Sequence, residues 1–204
     1  MTDPRDRPLS DDDLDPDPLK LFARWFEEAT AAGAVEPEAV ALATASPEGR
    51  PSVRMVLSKG FDERGFAFFT NYRSRKGSEL EANPRAELLF HWPELGRQVR
   101  IEGPMERLPV EDSERYARTR SRASRLSALA SPQSRPVPSR DWLERRVAEL
   151  DREHPEPPLG DEWGGFRLAP DAWEFWQHRP DRLHDRFRYQ LEAGGGWRID
   201  RLGP

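Results

Sequence analysis

The densest chemistry in the chain lies in Phe175-Trp176-Gln177-His178-Arg179-Pro180-Asp181-Arg182-Leu183-His184-Asp185-Arg186-Phe187. If residues 182–186 are extended, period-2 alternation puts Arg182, His184 and Arg186 on one face. Leu183, Asp185 and Phe187 then take the other. Three cationic or titratable groups on one face repel each other, which calls for an anion or an electron-rich ring opposite them. Arg offers a fixed fork of donors, and His is the side chain best able to move a proton near neutral pH. The competing reading is a solvated strand edge.

A second cluster is Asn71-Tyr72-Arg73-Ser74-Arg75-Lys76-Gly77, which leaves a strand pattern and enters a helix. Helix N-terminal N–H groups favour anions, and Arg75 with Lys76 adds charge. If strand 52–59 pairs with Phe66–Thr70 as a hairpin, Arg54 and Lys59 converge with Arg75 and Lys76 on one phosphate. The alternative is scattered surface charge. Residues 115–140 hold seven Arg and no acid. There Tyr116, Arg120 and Ser124 fall at helical i, i+4, i+8 spacing, so one helix face offers a phenol, a guanidinium and a hydroxyl to a second phosphate. Little aromatic interleaving accompanies these Arg, which argues against nucleic acid.

Other chemistries lack their parts. The chain has no Cys, so thiolate nucleophiles, disulfides and Cys-based metal sites are excluded. Its four His show no i, i+4 ligand pair, and no metal site is expected. P-loop, G-x-G-x-x-G and G-x-S-x-G patterns are missing.

Elements that could position these groups are legible. Asp17 caps a helix with Pro18 in its first turn, and Leu21, Phe22, Trp25, Phe26 and Ala29 form its buried stripe up to Gly33. Short strand signals follow at Ala39–Ala45, Ser52–Lys59 and Phe66–Thr70. In the second of these Val53, Met55 and Leu57 share one face, and Arg54, Val56 and Ser58 the other. A short helix runs from Ser74–Gly77 to Asn83-Pro84. Ala86–Trp92 and Gln98–Leu108 form a hairpin turning at Leu95-Gly96. Residues 109–154 read as a helical insertion, broken at Ser131-Pro132 and Pro136–Pro138. Strands Trp163–Leu168, Ala172–Gln177, His184–Leu191 and Trp197–Leu202 close the chain. Seven or eight short strands joined mostly by turns predict an antiparallel barrel with peripheral helices, an α+β fold.

The 204 residues suit one domain over 17–204 behind an acidic, mobile tail over 1–16. Seven Asp in the first 20 residues account for most of the net charge of −5, leaving a near-neutral body that does not suit general nucleic-acid binding. No run is long and apolar enough for a membrane span, and no signal-peptide core is evident, so the cytoplasm is expected.

Read together, several of these pieces resemble the pyridoxamine 5′-phosphate oxidase family. They are Arg54-Met55-Val56-Leu57-Ser58-Lys59, Phe69-Thr70-Asn71, Ser74-Arg75-Lys76, Gln98-Val99, Trp163-Gly164-Gly165-Phe166-Arg167, Phe175-Trp176-Gln177, Arg182-Leu183-His184-Asp185-Arg186 and the ending Asp200-Arg201-Leu202. Their order is unbroken from about Asp17 to Pro204. The resemblance implies an FMN-binding split β-barrel that works as a homodimer. It also implies oxidation of pyridoxine or pyridoxamine 5′-phosphate to pyridoxal 5′-phosphate, with O2 reduced to hydrogen peroxide. By the same resemblance Arg54, Met55, Val56, Leu57, Ser58 and Lys59 line FMN with Phe69 and Thr70, and Arg75 and Lys76 hold its phosphate. Gln98, Gln133, Ser134, Trp176 and Arg186 complete the cofactor site, some of them from a partner subunit. Lys59, Tyr116, Arg120 and Ser124 bind the substrate, and Arg182, Leu183 and His184 close on its ring. Arg182 and His184 are the residues assigned to catalysis, His184 through binding or proton removal. Phe69 stands where the family often has Tyr, Ser58 replaces a usual apolar residue, and His178-Arg179-Pro180-Asp181 differs from the commoner Gly-containing approach. The Asp-rich tail does not match the family's basic N-terminal arm. Two other readings share the residues: a related flavin oxidase acting on another ring, as in phenazine biosynthesis, and a non-catalytic flavin- or pyridoxal-phosphate-binding protein.

Overall fold

Helix α1 (Pro18–Ala31) forms where its sequence signals place it: the Asp17 carboxylate accepts the Leu19 N–H at 3.0 Å, and Gly33, at φ +81°, ends the run. A computed structural model describes residues 4–204. In it α1 buries Leu21, Phe22, Trp25 and Ala29 against a sheet. The Phe22 ring sits 4.9 Å from the rings of Phe61, Phe66 and Phe90, edge-on to each, which locks the helix over the core.

The sheet contains β1 (Ala39–Ala45), β2 (Pro51–Leu57), β3 (Phe61–Asp62), β4 (Gly65–Asn71), β5 (Arg85–Trp92), β6 (Arg97–Arg107), β7 (Trp163–Leu168), β8 (Ala172–Gln177), β9 (Asp185–Leu191) and β10 (Trp197–Arg201). Every pairing is antiparallel, as expected for this curled, split barrel. The main order is β10-β9-β8-β6-β5-β1-β2, with a branch from β6 through β7 to β4 and β3. Strand β6 pairs with β8 over Arg97–Glu102 and with β7 over Met105–Arg107. Gly103 marks the exchange, because a Cβ there would lie 1.9 Å from the Ala169 carbonyl oxygen.

Strands β2 and β4 do not form the expected hairpin: β2 pairs with β1, and β4 with β3 and β7. Backbone hydrogen bonds to β4 begin only beyond β2, where Lys59 N–H donates to Ala67 O at 2.7 Å and Ala67 N–H donates to Gly60 O at 3.1 Å. The two-residue strand β3 claims the edge of β4 that a hairpin would have used. On β2 the alternation is as read, but the single chain leaves Val53 69% and Met55 64% exposed, while Arg54 and Val56 turn inward and Ser58 is buried.

Between β6 and β7 lie α3 (Val110–Thr119), α4 (Arg122–Ala130) and α5 (Arg140–Glu153). Leu126, Ala130 and Leu150 give them a small core of their own. Residues 1–3 of the segment read as a mobile tail lie outside the described residues. From Arg5 onward that segment touches the barrel: Leu9 is buried, Gln177 Nε2 donates to Arg5 O at 3.0 Å, and the Tyr189 hydroxyl donates to Asp15 O at 2.9 Å. No helix among the described residues is long and apolar enough to cross a membrane.

Helix α2 (Arg75–Ala82) is capped by Ser74, whose Oγ accepts the Gly77 N–H at 3.3 Å. Its first turn presses on the preceding loop, and a Cβ on Gly77 would lie 2.1 Å from Tyr72 O. Helix propensity alone favours Ala over Gly by about 1 kcal/mol. The contact reverses that sign, so Gly77→Ala is expected to lower the urea midpoint. A raised midpoint would show that α2 can back away from Tyr72.

Candidate functional site

A cavity of about 670 Å³ opens between β2, β4 and the α3–α4 region. Strand β2 and its exit supply Arg54, Met55, Val56, Leu57 and Lys59; β4 supplies Phe69 and Thr70; α2 supplies Lys76. Tyr116, Arg120, Ser124 and Gln133 close it from the helical insertion. Ser58 sits between two of these lining residues, and its buried Oγ has no hydrogen-bond partner among the described residues.

Tyr116, Arg120 and Ser124 meet here, but not as one helix face. Helix α3 ends at Thr119, Arg120 is extended at φ −80°, ψ 147°, and Ser121 starts α4 by accepting the Ser124 N–H at 3.2 Å. The capping preference of Ser121 overrides the helical spacing. The kink turns Arg120 over the Trp163 ring, 5.0 Å from its centroid. Phe69, Tyr116 and Trp163 lie nearly parallel, with Phe69 and Tyr116 4.0 Å apart. Burial raises the Tyr116 pKa and Arg120 opposes it, so the group remains a phenol, and a donor, at neutral pH.

The four-cation convergence on one phosphate is not what forms. Arg75, one residue before Lys76 on α2, turns to a neighbouring cleft with Ser134 and Arg135. Successive helical residues do not share a face. Both Arg54 and Arg75 are held by Glu79: Arg54 Nη2 at 3.2 Å and Arg75 Nε at 2.8 Å. Thr44 and Ser52 hydroxyls donate to the same carboxylate. Lys76 is different. Its Nζ donates to Gln133 Oε1 at 3.0 Å and Thr70 Oγ1 at 3.1 Å, with no carboxylate partner among the described residues. Burial, and then the nearby Arg54, push its pKa down. A half-buried cation with only neutral partners is a site where an anion gains most.

The remaining predicted residues form a second group. Register aligns Gln98, Trp176 and Arg186 across β6, β8 and β9. Arg186 forks onto Glu174 at 3.0 and 2.9 Å. Arg182 is not extended: Pro180 opens a 3₁₀ turn over Pro180–Arg182, and Asp181 and Arg182 take φ +58° and +62°. Arg182, His184 and Arg186 therefore do not form one strand face. Arg182 and Leu183 project into solvent, and the His184 ring packs 4.5 Å from Trp176. Burial, His178 and Arg182 all lower the His184 pKa. Within one chain none of this group lines the cavity. Sequence reasoning missed Glu79, whose only signal is its place four residues after Arg75, and Glu174, which sits opposite Arg188 in register and is reached diagonally by Arg186.

Residues 26–152 match the family described as pyridoxamine 5′-phosphate oxidase. Residues 163–204 match the pyridoxine 5′-phosphate oxidase C-terminal dimerisation region. The chain belongs to the pyridoxamine 5′-phosphate oxidase family. It is 57% identical to a pyridoxine/pyridoxamine 5′-phosphate oxidase of Rubrobacter xylanophilus, over 96% of this chain and 91% of that one. A protein of the same name from Cupriavidus taiwanensis is 55% identical over 96% and 93%. Among solved structures, PhzG from Burkholderia lata, in complex with tetrahydrophenazine-1-carboxylic acid, superposes with a TM-score of 0.92 at 35% identity, covering 98% of this chain and all of that one.

The Glu79 node gives a pH-dependent expectation. Burial alone would raise its pKa, but bonds from Ser52, Thr44, Arg75 and Arg54 hold it at about 2. A folded-state pKa below the unfolded value stabilises above the unfolded pKa, and that stability is lost as pH falls through the folded one. The shift corresponds to on the order of 3 kcal/mol. Glu79→Gln is expected to cost most of this at pH 7, with the gap to wild type narrowing between pH 4.5 and 2. Urea unfolding across that range tests it, and a pH-independent gap would refute the electrostatic account.

Proposed function

We propose that this protein oxidises pyridoxine or pyridoxamine 5′-phosphate to pyridoxal 5′-phosphate, using FMN and O2 and releasing hydrogen peroxide, as a cytoplasmic homodimer. The observation that carries the reading is the positive charge left unmatched in the cavity. Lys76 and Arg120 face it with no carboxylate partner among the described residues, beside three parallel aromatic rings. Phosphorylated ring compounds suit that surface. The high identity to relatives named for this oxidation supports the substrate, and the 35% identity to PhzG ranks the phenazine-type reading below it.

The donor set fits FMN. Lys76, with Gln133, would hold its phosphate from the cavity, and Arg75 and Ser134 would join them only by swinging in from the neighbouring cleft; Arg54 through Lys59, Phe69 and Thr70 would line the rest. When bound, FMN takes two electrons from the substrate and delivers them to O2. The chain's own part is placement. The Tyr116 phenol, the Arg120 guanidinium and the Ser124 hydroxyl would bind the substrate phosphate, which holds the reacting carbon in one orientation. Lys59 would reach the same substrate.

Arg182, Leu183 and His184, with Gln98, Trp176 and Arg186, would come from the second subunit. Strand β9 lies five positions from β2 in the sheet order, about 24 Å along the sheet at ordinary strand spacing. A neighbouring copy can bridge that separation. Val53 and Met55 beside the cavity offer the apolar surface it would cover.

Purified protein with FMN and pyridoxine 5′-phosphate in air is expected to yield aldehyde and hydrogen peroxide in equal amounts. Bound flavin with neither product would refute the oxidase reading. Arg182→Ala is expected to lower kcat/KM by about 2–4 kcal/mol, tens- to a thousandfold. Arg120→Ala is expected to be similarly impaired. Subunits of the two variants, mixed and allowed to exchange, are expected to regain about a quarter of wild-type activity, because half the dimers then carry one intact site. No recovery despite proven exchange would place both residues in one subunit's site.

A further inference from the structure

The turn between β8 and β9 holds His184 through a single backbone contact. Arg179 N–H donates to His184 Nδ1 at 3.1 Å. A ring nitrogen that accepts an N–H carries no proton, so the proton of the neutral imidazole sits on Nε2. Protonating the ring would set two N–H groups against each other and break the contact.

Arg179 is itself fixed at its other end. Its Nη1 donates to Asp6 O, and its Nε lies 3.6 Å from Asp185 Oδ2. The same Asp185 oxygen accepts the Leu9 N–H at 3.1 Å, and Arg201 Nη1 donates to the other carboxylate oxygen at 3.1 Å. Leu9 is 4% exposed, so the N-terminal segment is anchored where it crosses the turn. Among the described residues the charged and titratable neighbours of His184 are His178, Arg179 and Arg182 of the turn and Asp185 and Arg186 of β9, while Asp6 of the N-terminal segment faces His178 at 3.5 Å. Of these, His178 and Arg182 join burial in disfavouring a second ring proton.

We infer that Arg179 is a positioning residue that fixes His184 as its Nε2–H tautomer, so that His184 gives the substrate a hydrogen bond and takes no proton from it. The donor role rests on the assignment of His184 to the substrate site made above; the tautomer does not. The N-terminal segment is the brace that keeps Arg179 in place.

The test uses the FMN-loaded protein labelled with ¹⁵N-histidine, with His184 assigned by its loss in His184→Gln. Long-range ¹⁵N–¹H spectra at neutral pH are expected to show Nδ1 bare and Nε2 protonated. An Nδ1–H tautomer or an imidazolium would overturn the inference. Arg179→Ala keeps the backbone donor but cuts the brace. It is expected to mix the His184 tautomers and raise KM about three- to tenfold, with kcat within about twofold; Arg179→Lys is expected to restore much of both. An unchanged spectrum and KM in Arg179→Ala would overturn the positioning role. Gln places an amide N–H near the imidazole Nε2, so His184→Gln is expected to stay within about tenfold of wild-type kcat/KM while His184→Ala falls further. Equal loss in both would overturn the donor role. The spectra need no turnover, so a failed tautomer and a failed oxidase assignment are separate results.

Discussion

Between Glu102 and Met105, strand β6 stops pairing with β8 and starts pairing with β7. Backbone donors and acceptors in a buried strand must be matched along its whole length, so one strand serving two partners needs a clean point of exchange. Gly103 supplies it by letting the Ala169 carbonyl approach where a side chain would stand. This division carries β7 and β4 to one side and β8, β9 and the 178–184 turn to the other. The cavity and the cationic turn are separated by the same hydrogen-bonding constraint that closes the barrel.

Charge is handled in two ways on the cavity side. Glu79 neutralises Arg54 and Arg75 from within and ties β1, β2 and α2 into one block through Thr44, Ser52 and the two guanidinium groups. Lys76 and Arg120 are left to neutral oxygens and an aromatic face. A framework that satisfied all four cations internally would hold an anion weakly. One that satisfied none would repel itself. The division of labour leaves rigid walls and a receptive centre.

Much of this was legible because local rules agree with the fold. Asp17 and Pro18 start α1, Gly33 ends it, and β1 runs over Ala39–Ala45 as its apolar run implies. Failures fall where a local preference competed with a longer pattern. Spacing joined Tyr116 to Ser124 in one helix, but Ser121 caps a new one. Alternation extended 182–186, but Pro180 begins a turn and two residues enter the left-handed region. Nothing local announces that β3 displaces β2 from β4, because edge pairing is decided by the whole sheet. Glu79 was invisible for a related reason: one of two acids on a short polar helix looks solvated until β1 and β2 are folded against it.

Strand β2 stands at the end of the sheet order, with Pro51 at its start and Arg54 turned inward. Both features blunt an edge against stray strand pairing. They do nothing for its outward row, Val53, Met55 and Leu57, which the isolated chain leaves to water. Any assembly that covers that row links the folded state to mass action. The protein's melting temperature then rises with its own concentration. At low concentration a newly made chain keeps that row open to other partners for longer.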